Sequence, residues 1–327
     1  MKAVRRTLVV APLMAAALMA TGHALADAYP SKPITVVVAY PPGGDTDAMA
    51  RTFAEKLSER LKKPVVIDNR PGAGGTVGNA YVGKAKPDGY TLLFTPNPFT
   101  TAPFVLKLSA GNTYDVLNGF EPVIKTATQP LVLVAHPSAG INNVADMVGK
   151  LKSGKSVTYA SPGAGSPMHV AAEWLNRAAG VSATHVAYRG VGPSVTDVVG
   201  GHVDTAWVTF GPVTQYIAEG KLMAVAIADG QRTPLAPGVP TLVEQGYKDV
   251  VVGSWNGFFA PKGTPAEVVK LLNEHLNEIV KMPDVVKKMA TFGALPAGGS
   301  PDVLRKTNAE EYEVMGKLIK ELGIRAD

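Results

Sequence analysis

Cysteine is absent from the sequence. Its absence excludes disulfide bonds, a thiolate nucleophile, cysteine-ligated zinc and iron–sulfur clusters. Long apolar runs are also absent after the first 26 residues, so no later segment is predicted to cross a membrane. The remaining chain of about 300 residues is long enough to bury a core without covalent cross-links. We therefore predict a folded protein that packing alone holds together.

The first residues have the three parts of a secretory signal peptide. Lys2, Arg5 and Arg6 form a positive start, residues 7–20 form an apolar core, and ALA at 24–26 or ADA at 26–28 offers a small-residue cleavage site. A membrane anchor is the alternative, but the apolar run is short for the ~30 Å of hydrocarbon in a bilayer. We predict that residues 1–26 are removed on export and that the mature protein works in the periplasm.

A strongly basic surface is missing once the signal peptide is removed. The formal charge is +5 for the whole chain, and it falls to +2 without Lys2, Arg5 and Arg6 because residues 1–26 contain no acidic residue. The remaining lysines and arginines are scattered along the chain. We therefore expect no nucleic-acid partner, since such proteins concentrate positive charge on one face.

Short runs of β-branched residues alternate with amphipathic stretches over most of the chain. Helical spacing is clearest in residues 47–61, where Met49, Phe53 and Leu57 recur every fourth residue. Alternating strands and helices predict an α/β fold with a parallel sheet covered on both faces. The predicted strands are Ile34–Ala39, Val65–Asp68, Tyr90–Phe94, Leu131–Ala135, Val157–Ala160, Thr184–Ala187, Asp204–Val208 and Met223–Ala228.

The mature chain exceeds the usual size of one α/β domain, so we predict two doubly wound domains. The pattern breaks near residues 125–131 and 225–255, where the chain would cross between them. Domain 1 would then comprise residues 29–128 and 250–327, and domain 2 residues 129–249. Two crossings make a hinge, and a ligand would lie in the cleft at the carboxyl ends of the strands.

Four glycine-rich loops follow predicted strands and precede helical patterns, namely 41–47 (PPGGDTD), 70–75 (RPGAGG), 161–169 (SPGAGSPMH) and 188–194 (YRGVGPS). The glycine spacing at 72–78 departs from the dinucleotide motif, and the P-loop motif is absent, so we expect no nucleotide cofactor. Glycines at helix starts let an anion approach unpaired backbone N–H groups. We therefore interpret the loops as anion cradles around one cleft.

Catalytic alternatives rest on few residues. His169 and Glu173 have the spacing of two metal ligands on a helix, but no third histidine has a supporting position. A serine of the 161–169 loop would make a triad with His169 and Asp204, yet the G-x-S-x-G nucleophile motif is absent. We therefore expect neither a bound metal nor catalysis.

Longer motifs follow one another through nearly the whole mature chain. They are YPSKPITVVVAYPPGGDTDAMAR, KPVVIDNRPGAGGTVGNAYVGKAKPDGYTLL, TYASPGAGSPMHVAAEWL, HVAYRGVGPSVTDVVGGHVD and SWNGFFAPKGTP. In these motifs and in their order the chain resembles the Bug-type (TctC-like) periplasmic receptors, which are the substrate-binding components of tripartite tricarboxylate transporters.

The resemblance implies a type II periplasmic binding protein of two domains, a Venus flytrap, that closes around a small carboxylated solute and is not an enzyme. The solute would be a di- or tricarboxylate, an aromatic acid or an acidic amino acid, and the receptor would deliver it to membrane permease subunits. A second reading keeps the receptor but has it report occupancy to a membrane sensor kinase. We expect a monomer in either case.

The resemblance also implies which residues contact the solute. They are Gly43, Gly44, Thr46 and Asp47 in the first loop, Ser161, Gly163, Ser166 and His169 in the opposing loop, and Arg189, Gly190 and Asp204 at the edge of the second domain. Thr95 begins a further stretch that is predicted to reach the cleft. Asp45 stands where the family usually has a small or neutral residue, and it would cap a helix, repel anions or meet an ammonium group. Phe99 and Trp207 are either core residues or ligand contacts.

Overall fold

Residues 29–325 are described by the structure, which is a computed structural model. The signal peptide predicted at residues 1–26 lies outside this range. Within the range, no helix is both long enough and apolar enough to cross a bilayer.

Strands and helices alternate along most of the chain, as the sequence predicts. The strands are β1 (Ile34–Val38), β2 (Val65–Asn69), β3 (Thr91–Pro96), β4 (Phe120–Ala135), β5 (Thr158–Ser161), β6 (Thr184–Ala187), β7 (Thr205–Thr209), β8 (Met223–Ile227), β9 (Gly253–Pro261) and β10 (Leu295–Pro296). The α-helices are α1 (Asp45–Leu61), α2 (Thr76–Gly83), α3 (Pro98–Val105), α4 (Val144–Lys152), α5 (Pro167–Ala179), α6 (Val191–Val199), α7 (Thr214–Ala218), α8 (Ala266–Ile279), α9 (Pro283–Ala290) and α10 (Pro301–Leu322). Every predicted strand lies on an observed one, and in α1 the side chains of Met49, Phe53 and Leu57 are buried.

The strands form a mixed sheet in the order β2-β1-β3-β9-β4-β7-β5-β6, and β8 and β10 also pair with β4. β1 pairs in parallel with β2 and β3, and β5 pairs in parallel with β6 and β7. The pairs made by β4 and β9 are antiparallel. The prediction of a wholly parallel sheet was therefore wrong at its centre. β4 carries the chain from one half of the sheet to the other and β9 brings it back, so these strands run in opposite directions.

The long strand β4 belongs to both halves of the sheet. Up to Pro130 it pairs with β9 and β10, and from Leu131 it pairs with β7 and β8. Domain 1 is thus built around β2-β1-β3-β9, and domain 2 around β7-β5-β6 and β8. This is the two-domain α/β architecture predicted from the sequence, while the residue bounds of the domains stay a prediction.

The last helix, α10, contacts both domains. Near its start, Leu304 packs with Trp255 and Phe259 of domain 1. Near its end, Leu318 and Ile319 lie in the core of domain 2. α10 therefore joins the two domains, in addition to the two crossings of the chain.

Phe99 and Trp207 are both core residues. Phe99 is fully buried and stacks on Phe259, with 4.7 Å between the ring centroids, and on Tyr114. Trp207 lies in the middle of β7 with 1% of its surface exposed. Of the two roles left open for these aromatic residues, burial therefore favours the core. Neither residue lines the cavity described next.

Candidate ligand-binding site

A cavity of about 810 Å³ lies between the two domains. All four glycine-rich loops contribute to its lining, through residues 44–46, Gly74, residues 162–168 and residues 189–193. β1, β2, β5 and β6 each end at one of these loops. The cavity therefore lies at the carboxyl ends of the strands, where open α/β sheets bind their ligands.

The N-cap residues of three α-helices line this cavity. They are Gly44 of α1, Ser166 of α5 and Gly190 of α6. Gly190 has a φ of +117°, a conformation that favours glycine. The first N–H groups of a helix lack partners within it, and its N-terminus carries about half a positive charge. We call these helix starts, residues 44–46, 166–168 and 190–192, the helix cradle, and it is suited to bind an anion.

The lining of the cavity contains two charged residues, Asp45 and Arg189. Arg189 is exposed and makes no ion pair with any residue between 29 and 325. Asp45 accepts a hydrogen bond from the Thr46 N–H at 2.8 Å, so it compensates part of the charge at the start of α1. The positive charge of Arg189 and the partial positive charges of the three helix starts thus exceed the single negative charge of Asp45, so the cavity attracts anions.

Four polar residues line the cavity close to the strands that join the domains. They are Thr101, Gln129, Thr209 and Ser254, which we call the hinge-side wall. Gln129 and Ser254 are paired neighbours on β4 and β9, and Thr209 ends β7 beside Leu131 of β4. Residues of both domains therefore meet at this wall.

The family model of the tripartite tricarboxylate transporter family receptor matches residues 49–324. The chain belongs to this receptor family. Protein BugT of Bordetella pertussis (strain Tohama I) is 36% identical over 303 residues, which cover 92% of each chain. Members of this family are solute-binding receptors, and the resemblance noted in the sequence motifs is thereby confirmed.

Solved structures support the same assignment. The R. palustris protein Rpa4515 with adipate is 30% identical, has a TM-score of 0.81 and matches 91% of this chain and 100% of its own. MatC from Rhodopseudomonas palustris with bound malate is 31% identical, has a TM-score of 0.77 and matches 89% of this chain and 100% of its own. For the periplasmic binding protein BugD the identity is 32%, the TM-score 0.78 and the coverage 91% and 100%. The fold is accordingly the two-domain Venus flytrap of type II periplasmic binding proteins.

In this receptor Asp47 shapes the first loop and does not line the cavity. Its buried carboxylate accepts hydrogen bonds of 2.9 Å from the Gly43 N–H, from Arg51 Nε and from Asn69 Nδ2. Burial raises the pKa of the Asp47 carboxyl, but the bonds from these three donors outweigh burial and hold its pKa below the usual value. The ionised carboxylate therefore holds Gly43 in its turn with a φ of +85°.

Ser161 and His169 are the first and last residues of the 161–169 loop, and they lie behind the part of it that lines the cavity. Ser161 Oγ contacts His185 Nε2 at 2.7 Å, and the rings of His185 and His169 stack with 3.9 Å between centroids. His169 Nδ1 accepts the Gly165 N–H at 3.0 Å, and the His169 N–H donates to Ser166 Oγ at 3.2 Å. Gly165 and Ser166 line the cavity, as does Gly163, whereas Ser161 and His169 do not. The two buried residues thus position a loop that others present to the ligand.

Asp204 and Thr95 also lie outside the lining. Asp204 precedes β7 and accepts hydrogen bonds from the Thr158 N–H at 2.7 Å and from Thr158 Oγ1 at 2.8 Å. This is the amino end of β5 and β7, opposite to the end that faces the cavity, so Asp204 ties two strands together. Thr95 is fully buried in β3, and its neighbour Pro96 lines the cavity in its place.

The catalytic groupings considered from the sequence are not assembled. The carboxylate of Asp204 is bonded to Thr158 and not to His169, and the carboxylate of Glu173 accepts the hydroxyl of Tyr159. Between residues 29 and 325, no group of three histidine or acidic side chains is placed to hold a metal ion. These side chains therefore have structural partners instead of each other.

Sequence reasoning missed most of the hinge-side wall. Its residues come from α3, β4, β7 and β9, and no motif joins them. The one usable signal was the stretch 95–103, which was predicted to reach the cleft. Pro96, Pro98, Thr101 and Ala102 of that stretch line the cavity.

Gly44→Val should weaken ligand binding without impairing folding. Gly44 has a φ of −80°, and a Cβ there would meet nothing nearer than Pro41 O at 3.9 Å. We expect Gly44→Val to fold like the wild type but to lose ligand affinity by at least about tenfold, because its side chain stands before the N–H groups of α1. Calorimetric titration and thermal unfolding check this, with Gly238→Val, which adds a side chain in open space, as the control. Equal affinity in both variants would remove the start of α1 from the site.

Proposed function

We propose that the protein is a periplasmic receptor that binds a small carboxylate between its domains and delivers it, as a monomer, to the permease of a tripartite tricarboxylate transporter. The helix cradle carries this proposal, because three helix starts and Arg189 converge on one cavity whose lining contains a single carboxylate, Asp45. The adipate and malate in two solved relatives support the same class of ligand.

The cradle suits a ligand that must be bound and then released. Each charge-assisted hydrogen bond to a carboxylate contributes about 1.5–3 kcal/mol net, and the carboxylate accepts several. Backbone donors are already fixed by their helices, so binding orders few side chains. Because α1 belongs to domain 1 and α5 and α6 to domain 2, a ligand held by all three favours the closed arrangement of the domains.

We further propose that the ligand leaves chemically unchanged. Ser161, whose hydroxyl contacts a histidine, is fully buried and does not border the cavity. A nucleophile must reach the reacting atom of its substrate, which this serine cannot do from behind the loop. Thr101 and Thr209 line the cavity, but their hydroxyls are buried and contact no general base among the described residues.

Thermal unfolding of the mature protein against a panel of ligands tests the function. The panel contains di- and tricarboxylates, aromatic acids and acidic amino acids, with the matching amides and inorganic phosphate as controls. A ligand present at 100 times its dissociation constant should add about 2.7 kcal/mol to the free energy of unfolding, which raises Tm by several degrees. Stabilisation by acids and not by their amides supports the proposal. Stabilisation by phosphate alone, or conversion of a ligand to product, would contradict it.

Asp45→Asn is expected to tighten the binding of carboxylates. Asp45 is part of the helix cradle, and its carboxylate repels an anion there, so its removal should lower Kd by roughly 3–10-fold, and less at high salt. Calorimetric titration at two ionic strengths measures the change. Asp249→Asn removes an exposed carboxylate away from this cavity and is the control. Weaker binding confined to amino acids would show instead that Asp45 contacts their ammonium group.

A further inference from the structure

One face of α3 lines the cavity along the whole length of the helix. Pro98, Thr101, Ala102 and Val105 recur at the spacing of a single helical face, and all four belong to the lining. From Pro98 to Val105 this face is about 10 Å long, because an α-helix rises ~1.5 Å per residue. We call these four residues, together with Leu106 at the end of the helix, the α3 face.

The α3 face runs between the helix cradle and the hinge-side wall. At its end, a Cβ on Gly165 would stand 2.5 Å from Val105 Cγ1, so Val105 packs directly on the loop that leads into α5. At its beginning, Asn97 precedes α3 and accepts a hydrogen bond from Ser254 Oγ of the hinge-side wall at 2.9 Å. A ligand bound at the cradle can therefore extend along α3 towards the hinge.

The side chains of the α3 face offer no polar group to a ligand. Four of the five are hydrocarbon, and the hydroxyl oxygen of Thr101 is buried within the protein. Further apolar side chains of the lining come from both domains, and they include Pro162, Met168, Val191 and Phe292. An apolar group of the ligand would thus be buried by residues of both domains.

The cavity has more room than a short acid fills. Its volume of about 810 Å³ would hold about 27 water molecules at ~30 Å³ each. The two domains already touch beside it, since Gly211 lies against the backbone of Phe292, so further closure would remove little of this space. Water is a poor occupant beside the α3 face, because an ordered water needs two to four polar partners.

We infer that the solute is a carboxylate with an extended apolar body, which lies along the α3 face while the helix cradle binds the carboxylate. This inference rests on the proposed function and narrows its ligand to alkyl or aryl-alkyl acids, in place of short di- and tricarboxylates. Each methylene group that is removed from water raises the affinity about fourfold. The α3 face is then the element that selects solutes by the length of their apolar part.

A series of straight-chain acids tests the inference. Calorimetric titration, at concentrations below micelle formation, would compare butyrate, hexanoate, octanoate and 4-phenylbutyrate with succinate, adipate and citrate. We expect the affinity to rise about threefold to fourfold for each methylene added between butyrate and octanoate. Octanoate should bind at least about tenfold more tightly than succinate, adipate or citrate. An affinity that is flat along the series, or highest for a short polyacid, would overturn the inference.

Two variants connect the effect to the α3 face. Ala102→Leu fills the middle of the face, so octanoate should lose at least about tenfold in affinity and butyrate less than about threefold. Its control is Ala309→Leu on the exposed surface of α10. Leu106→Asn places an amide on the face and should weaken octanoate about tenfold. Its control is Leu108→Asn, since Leu108 is half-buried like Leu106 but lies outside the lining.

Thermal unfolding without ligand shows whether each variant is folded. If Ala102→Leu does not fold, Leu106→Asn carries the test, because its side chain is half-buried and tolerates an amide of similar size. Octanoate affinity that stays at the level of the controls in the folded variants would overturn the inference. Binding of short carboxylates with no gain from chain length would do so while leaving the proposed function in place, and failure of every acid would remove both.

Discussion

Gly211→Ala is expected to remove most of the ligand affinity of the receptor. Gly211 follows β7 in domain 2, and its Cα lies against the backbone of domain 1. A Cβ at this position would stand 2.3 Å from the Phe292 carbonyl carbon and 2.4 Å from the Gly293 nitrogen, and real Cβ atoms essentially never come within 3.0 Å. No change of rotamer relieves a clash between a Cβ and a backbone, so the two domains must shift apart.

This shift weakens ligand binding because both domains supply hydrogen-bond donors to the site. A displacement of about 1 Å carries a hydrogen bond beyond its effective length. Losing two such bonds, each contributing about 1.5–3 kcal/mol, raises Kd by at least about 100-fold. Calorimetric titration measures the loss, and small-angle X-ray scattering measures the separation of the domains. Gly238→Ala, which meets nothing within 4 Å, is the control. Affinity equal to that of the control would contradict the expected displacement.

The glycine-rich loops are the part of the candidate site whose place in the fold follows most directly from the sequence. Each follows an apolar β-branched run and precedes a helical pattern, so its place at the carboxyl end of a strand follows from the alternation alone. Gly44, Thr46, Gly163, Ser166, and Gly190 with its neighbour Arg189 all line the cavity. Local sequence decides these positions, because a helix start is a local structure. Whether each of them contacts a ligand stays a prediction.

The centre of the sheet and the hinge-side wall depend on contacts between distant parts of the chain. β4 contains Pro122 and Pro130, which read as breaks in a strand pattern, yet the register of its pairing with β9 shifts beside Pro122 and so admits it. The wall joins Gln129 with Ser254 and Thr209, whose sequence neighbourhoods have no common motif. Asp204, which the resemblance implied as a ligand contact, lies outside the cavity lining and accepts hydrogen bonds from Thr158.

The stacked pair of His169 and His185 behind the 161–169 loop should make the receptor sensitive to acid. His169 is 8% exposed, and burial, together with repulsion from His185, lowers its pKa to about 3. Burial also lowers the pKa of His185. The Tyr159 ring stacks on His185 at 4.8 Å and its hydroxyl is bonded to Glu173, so the stack is closed on its far side by a neutral ring. A proton on His169 Nδ1 would also break the bond from the Gly165 N–H.

Between a pH of about 6.5 and about 3, His169 is therefore protonated in the unfolded chain but neutral in the folded chain. The stabilisation is fully present above 6.5 and is lost on acidification, at up to about 1.4 kcal/mol per pH unit for each histidine. We expect urea unfolding to show the free energy of unfolding falling through this range, with ligand affinity falling in parallel because Gly165 and Ser166 line the cavity. A wild-type profile that stays flat below pH 6.5 would contradict the expectation.

Comparison with a variant separates the histidines from other groups that titrate in the same range. Glu311 acts in the opposite direction, because its raised pKa of about 7 makes its contribution to stability decline as the pH rises from 4.5 to 7. His169→Gln keeps a side chain that accepts hydrogen bonds but removes the group that takes up the proton. The free energy of unfolding of this variant should therefore fall less steeply with acidification, by the contribution of one proton. His202→Gln removes an exposed imidazole and serves as the control. If His169→Gln and the wild type share one slope, the acid sensitivity arises elsewhere and His169 only packs behind the loop.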